Sequence, residues 1–302
     1  MTQRIVPNLW LPGNAEEAVD FWVKAFDPVS PEGARVTGGA RYPTEGLLDF
    51  QESLAGQAIT VDFTLGDTAF TAINAGPMFE PNGSISFFVN FDASFEPDAR
   101  AHLDALWEVL ADGGKVLMPL GEYPFSPHYG WVEDRYGFSW QLILTDPEGE
   151  PRPFIVPSLM FSGANTNRAG AALRHYAETL QNSRLGTLAP YPEKTGPADA
   201  GSLMYGEAEL DGIWIAAMDS GVEMDAPFNE AVSLQVFADD QAEIDRLWEH
   251  LSHVPESEQC GWCKDEFGVS WQVIPTHLDE LMQRPGAYEK LMGMHKIVID
   301  EF

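Results

Sequence analysis

The chain is poor in cysteine, in positive charge and in long apolar runs, and each shortage closes a class of function. Only two of its 302 residues are cysteine, so no disulfide framework is available, and a chain of this length buries enough surface to do without one. Those two, Cys260 and Cys263, form C-x-x-C within CGWC. The flanking pattern is strand-like, whereas a redox pair sits at a helix start, where the dipole lowers a thiol pKa. A zinc site would need further ligands, and no second cysteine pair exists.

Lys and Arg number 17 against 47 Asp and Glu, a net charge of −30. A field of that sign repels nucleic acid and anionic bilayers, so neither is an expected partner. The acidity reads as a solubility feature. No apolar stretch approaches the roughly 18 residues of a membrane helix. The opening MTQRIVPNLW has no apolar signal core and no small-residue cleavage site, so the expected location is the cytoplasm. G-x-S-x-G is absent, and Gly38–Ala40 lacks the lysine and spacing of a phosphate loop.

What the chain does have is a repeated text. YGWVEDRYGFSWQLI, from Tyr129, and CGWCKDEFGVSWQVI, from Cys260, agree at eight of fifteen positions. IVPNLWLPGN from Ile5 matches IVPSLMFSGA from Ile155, Thr64–Gly76 matches Glu209–Gly221, and Ser84–Val89 matches Ala231–Val236. The order is the same in both halves, so the chain is a tandem duplication. The Pro-, Gly- and acid-rich Thr145–Pro153 is the expected linker, which sets the domains at 1–147 and 152–302.

Within the first half, apolar periods alternate between strand and helix. Ile5–Leu11 reads as a strand, and Asn14 is placed to cap a helix carrying Ala18, Phe21, Trp22, Ala25 and Phe26 on one face. Strands follow at Arg35–Gly38, Ile59–Leu65 and Ala69–Asn74, and the cycle restarts. Ser84–Phe91 is a strand, Ala99–Leu110 a helix, then come strands at Lys115–Leu120, Tyr129–Glu133 and Phe138–Leu144, with Gly137 in the last hairpin turn. The expected fold is α+β: four βαβββ units, two to a half, with helices on one face of curled mixed sheets and a cup on the other.

The motifs LPGNAEEAVDFWVKAF (Leu11–Phe26), GWVEDRYGFSWQ, GWCKDEFGVSWQ and EKLMGMHKIVI (Glu289–Ile299) resemble the vicinal oxygen chelate superfamily of glyoxalase I, extradiol dioxygenases and bleomycin-resistance proteins. More narrowly they resemble its PhnB-like branch, labelled 3-demethylubiquinone-9 3-methyltransferase-like. The second half departs at Asn165–Leu180, which lacks the Glu-Ala signature. The resemblance implies two fused glyoxalase-like modules, each with a cup. It also implies four metal positions per cup, which carry over to Pro7, Phe70, Ser84 and Gln141, and to Pro157, Ile215, Ala231 and Gln272. Pro, Phe, Ile and Ala have no donor atom, so no metal and no cofactor are expected.

Alternation along the strands supplies the rest of the candidate site. If Gln141 faces a cup, so do Ser139 and Ile143; Ser84, Ser86 and Phe88 oppose the apolar Ile85, Phe87 and Val89; Ala231, Ser233 and Gln235 repeat that side. The expected ligand-binding residues are Phe70, Asn74, Ser86, Phe88, Gln141, Ser233, Gln235 and Gln272, with Asn74 replaced by Asp219 in the second half. Trp131, Trp140, Trp262 and Trp271 recur at matched positions and read as architecture. His128, just before a cup strand, is the one candidate acid or base. The leading expectation is a metal-independent small-molecule binding protein. A superfamily enzyme using His128 is the alternative, and a scaffold or interaction protein the third. The two modules form an internal pseudo-dimer, and further homodimerisation is left open.

Overall fold

A computed structural model describes residues 3–44, 47 and 54–302 of the chain. The first unit is β1 (Ile5–Leu11), α1 (Ala15–Phe26), β2 (Ala34–Gly38), β3 (Thr60–Leu65) and β4 (Thr68–Asn74). The second is β5 (Ile85–Phe91), α2 (Ala99–Ala111), β6 (Lys115–Tyr123), β7 (Ser126–Glu133) and β8 (Ser139–Leu144). The third repeats the pattern as β9 (Ile155–Phe161), α3 (Ala169–Thr179), β10 (Arg184–Pro190), β11 (Leu203–Leu210) and β12 (Ile213–Asp219). The fourth is β13 (Val232–Ala238), α4 (Gln241–Leu251), β14 (Trp262–Lys264) and β15 (Ser270–Pro275), followed by α5 (Leu278–Met282) and α6 (Ala287–Met292).

This is the expected α+β architecture with one departure. Among the described residues the fourth unit has no counterpart of β6. The stretch between α4 and β14 is shorter than that between α2 and β7, and it carries a 3-10 turn at Pro255–Ser257. The C-terminal segment runs there instead: Cys260 N donates to Met294 O and Gly261 N to His295 O, each at 2.8 Å.

The strand order is what positions the site. One sheet runs β14-β15-β13-β1-β4-β3-β2, the other β10-β11-β12-β9-β5-β8-β7-β6. Antiparallel pairing of β1 with β13 joins the first unit to the fourth, and pairing of β5 with β9 joins the second to the third. Each sheet therefore draws on both halves of the chain, and neither half closes a cup alone.

The sheets are held together through the core. Phe70 of the first sheet meets Phe87 of the second, ring centroids 5.3 Å apart, and Trp22 on α1 lies 6.4 Å from Trp140 on β8. The second half repeats this with Tyr176 on α3 and Trp271 on β15, 5.2 Å apart. All six side chains are at most 1% exposed, and burying rings of this size supplies roughly 2–3 kcal/mol each. The two sheets thus pack through their helix-bearing sides, and their other faces point away from one another.

One glycine is required by close approach. A Cβ on Gly130, in β7, would stand 2.5 Å from the Trp107 ring on α2. Gly130→Ala is expected to cost about 2 kcal/mol, because the indole must leave its rotamer. Urea unfolding measures this; a loss below roughly 0.5 kcal/mol would mean that α2 yields freely.

Candidate functional site

On each sheet, polar residues share the face turned from the helices. In the eight-stranded sheet one cross-strand row reads Ser139, Ser86, Ser158, Ala216, Glu207. Ser86, Ser158 and Glu207 are at most 3% exposed although no helix lies over them, so the curled sheet and its own side chains bury this face. We name it cup II. Gln141 Nε2 donates to Ser86 Oγ at 2.7 Å, and the Tyr129 hydroxyl donates to Gln141 Oε1 at 2.5 Å. Burial pushes the Tyr129 and Tyr205 hydroxyls well above their usual range, so both are protonated donors at neutral pH. Phe88 lies edge-on to Tyr205, 6.3 Å away.

The matching row of the seven-stranded sheet is Ser233, Asn8, Thr71, Asp62, and its face is cup I. Gln272 Nε2 donates to Ser233 Oγ at 2.9 Å, repeating the Gln141–Ser86 bond. Asn8 Nδ2 donates to Val6 O and, at 3.3 Å, to Gln235 Oε1. Thr71 Oγ1 donates to Asp62 Oδ1 at 2.7 Å. An aromatic rim completes this cup: Trp10 meets Phe79 at 5.0 Å and Trp262 at 5.8 Å, both edge-to-face.

Five of the eight residues named from sequence share these faces with the partners just given or stand beside them: Ser86, Gln141, Ser233, Gln235 and Gln272. Phe88 joins them through Tyr205. They divide between the cups, Ser86, Phe88 and Gln141 in cup II and Ser233, Gln235 and Gln272 in cup I. Phe70 does not reach a cup. It is 1% exposed and stacked on Phe63 in the core, because alternation puts Ala69, Thr71 and Ile73 on the cup side of β4. The carried-over metal positions Pro7, Pro157 and Ile215 likewise fall one residue out of phase, beside the inward-facing Asn8, Ser158 and Ala216.

Asn74 is corrected too. Its Oδ1 accepts from Ala15 N at the start of α1, and its Nδ2 donates to Ala58 O, so it is a structural clamp. Asp219 does the same for α3, accepting from Ala169 N and Leu203 N. His128 lies under α2, with Nε2 at 2.5 Å from Asp104 and Nδ1 at 3.3 Å from Arg100, on the face of β7 opposite Tyr129. It is not a cup residue. Of the matched tryptophans, Trp140 and Trp271 are core, whereas Trp131 and Trp262 face the cups. Cys263 is fully buried and Cys260 partly so, and burial pushes both thiols up, which opposes redox chemistry.

Sequence reasoning missed Asn8, Ser158, Asp62 and Glu207. The matched IVPN and IVPS carried the signal for the first two, but Ile5–Leu11 is too apolar throughout to reveal which side faces out. Among the described residues five side-chain polar atoms are buried with no hydrogen-bond partner, and three of them lie on the cup faces: Asn8 Oδ1 and Thr64 Oγ1 in cup I, and Ser158 Oγ in cup II. Among the described residues no group of three His, Cys, Asp or Glu stands close enough to hold a metal ion. In cup II Gln141 is engaged at both ends and Glu207 is ion-paired with Arg152, so neither is free to ligate a divalent cation. A separate hollow of about 320 Å³ lies beneath α3, lined by Asn167, Arg174 and Asp219 among others, outside both cups.

The PhnB protein of Bacillus cereus, titled a 3-demethylubiquinone-9 3-methyltransferase, is 33% identical over 47% of this chain and 100% of its own, with a TM-score of 0.37. Protein PA1353 of Pseudomonas aeruginosa is 23% identical over 48% of this chain and 98% of its own, with a TM-score of 0.36. Glyoxalase I of Zea mays is 12% identical but covers 92% of this chain and 93% of its own at a TM-score of 0.53, which establishes a shared fold. No curated protein matches. The family described as 3-demethylubiquinone-9 3-methyltransferase matches residues 3–143 and again 153–274. The chain belongs to that family, whose model it matches twice in tandem, and it shares the fold of glyoxalase I.

Proposed function

We propose that the protein is a metal-independent binder of small molecules, with its ligand sites on the cup faces, working in the cytoplasm. The observation that carries this reading is the set of unpartnered polar atoms on those faces, Asn8 Oδ1, Thr64 Oγ1 and Ser158 Oγ. Each costs about 1–3 kcal/mol unless something supplies its hydrogen bond. The aromatic rim of Trp10, Phe79 and Trp262 adds the flat apolar surface that small-molecule sites use. The two modules would act as an internal pseudo-dimer, each cup shared between them.

Methyl transfer, the activity in the family description, gains no support from this fold. Binding of S-adenosylmethionine commonly uses a parallel doubly wound sheet with a glycine-rich turn, and both sheets here are mixed. An acid–base role for His128 is weakened by its place under α2.

A thermal-shift screen of small metabolites, with S-adenosylmethionine included, tests the reading. Ligands at about 100 times their Kd should add about 2.7 kcal/mol of stability. Ligands of cup I should also alter tryptophan fluorescence through Trp10 and Trp262 and lose their effect on Asn8→Leu, and ligands of cup II should lose theirs on Ser158→Val. If no compound stabilises the protein, or stabilisers act equally on wild type and both variants, the reading fails.

A further inference from the structure

The two cups are copies, and their differences assign them different contents. Asp62 on β3 stands opposite Thr71, and Glu207 on β11 stands opposite Ala216, so the two carboxylates occupy equivalent places. In cup II the carboxylate is met by the linker. Arg152 Nη2 donates to Glu207 Oε1 at 2.6 Å and Nε to Oε2 at 3.1 Å, a bidentate pair. The guanidinium lies over Trp214, 4.2 Å from the ring centre, and the Tyr205 hydroxyl donates to Glu207 at 3.0 Å.

Cup I has the carboxylate without that closure. By the same register Ala69 stands where cup II has Trp214, and Thr60 where it has Tyr205. Among the described residues no Lys or Arg forms an ion pair with Asp62; Arg35, on the outermost strand opposite Thr64, is exposed and does not reach it. The charged side chain that does act on Asp62 is Asp279 of α5, of the same sign. Asn8 Oδ1, a buried acceptor with no donor, lies two strands away on the same row, and Thr64 Oγ1 is one residue pair along β3. Adjacent strands are about 4.8 Å apart, so these acceptors lie within the span of one small ligand.

We propose that cup I binds a small molecule carrying a guanidinium, amidinium or ammonium group, seated on Asp62 as Arg152 is seated on Glu207, and that Arg152 closes cup II to the same ligand. The inference rests on the reading of the cups as ligand sites and adds the charge of the ligand and the choice of cup. A cationic group brings N–H donors for Asp62 and Asn8 together, and charge-assisted bonds of this kind are the strong ones. The rest of the ligand would lie against the Trp10 and Trp262 rim.

The test uses a shape-matched set, benzamidine, benzamide and benzoate, with arginine and agmatine, titrated by calorimetry at pH 8. The cations should bind wild-type protein at one site, benzamide more weakly, and benzoate not at all. Asp62→Asn should weaken benzamidine about tenfold or more. Ala69→Trp, which gives cup I the ring that the guanidinium lies over in cup II, should tighten benzamidine and leave benzamide unchanged. Arg152→Ala should raise the stoichiometry from one to two by freeing Glu207. Equal binding of benzamide and benzamidine, or no change in Asp62→Asn, overturns the inference while leaving the cups as ligand sites. Failure of every cation to bind also overturns it; the ligand-site reading then stands or falls on whether neutral compounds stabilise wild type and not Asn8→Leu or Ser158→Val.

Discussion

Asp134→Ala is expected to remove about 4 kcal/mol of folding free energy, more than either Gly130→Ala or the loss of an Arg152 partner. The carboxylate is 3% exposed and accepts four hydrogen bonds: Trp22 Nε1 at 2.7 Å, Trp140 Nε1 at 2.8 Å, Tyr136 N at 2.8 Å and Phe138 N at 3.1 Å. Truncation leaves four buried donors unpaired at about 1–3 kcal/mol each, less whatever water enters. The bonds also tie α1 of the first unit to the β7–β8 hairpin of the second, and so one sheet to the other. Asp265 holds the same post in the second half, accepting from Tyr176 Oη at 2.6 Å and Trp271 Nε1 at 2.9 Å, with Phe267 N and Val269 N. Its alanine variant should lose a similar amount. Urea unfolding with Asp112→Ala, an exposed control, measures both. A loss under about 1 kcal/mol at either site would show that the core does not depend on these anchors.

Glutamine at position 207 and asparagine at position 62 are expected to move stability in opposite directions, although the two sites are copies. Glu207→Gln leaves the Arg152 guanidinium, only 17% exposed, without its bidentate partner, a loss of about 3 kcal/mol at pH 7. Asp62→Asn removes a charge that burial and Asp279 already disfavour, so it should raise the melting temperature. The pH dependence follows the sign of each shift. Arg152 is among the groups that hold the Glu207 carboxyl below its ordinary 4.5, against the cost of burial. Its contribution is therefore present above that value and lost as pH falls through the lowered pKa, so the glutamine penalty fades in acid. Asp62 is raised above 3.8, so its ionised form costs stability at neutral pH, and the asparagine advantage disappears once acid protonates the carboxyl in both states. Melting curves at intervals from pH 7 to pH 2 decide the matter. A destabilising Asp62→Asn at pH 7 would mean that the carboxylate has a partner that compensates it.

The units, their order and most strand limits were legible in the sequence because alternation and helical spacing are local. Ile5–Leu11 appears as β1 without a residue's change, and Gly137, at φ +87°, makes the hairpin turn expected of it. Gln141 and Gln272 were legible as cup-face residues because each is polar between apolar neighbours. Phe70 was not placed correctly, because carrying over a family position without the pleat leaves an error of one residue, and one residue reverses the face.

The duplication, the α+β class and the pairing of equivalent residues were determined by the sequence alone, since each is written in periods of two, 3.6 or a whole repeat. Which strands lie side by side was not, because β1 meets β13 and β5 meets β9 across more than sixty intervening residues, and no local period records such a partner. Only the tertiary structure decided that each cup is shared between the halves, and that Arg152 satisfies one buried carboxylate while Asp62 has no cationic partner among the described residues. The physical reason is that a charge acts through distance in space, and the sequence orders residues only along the chain.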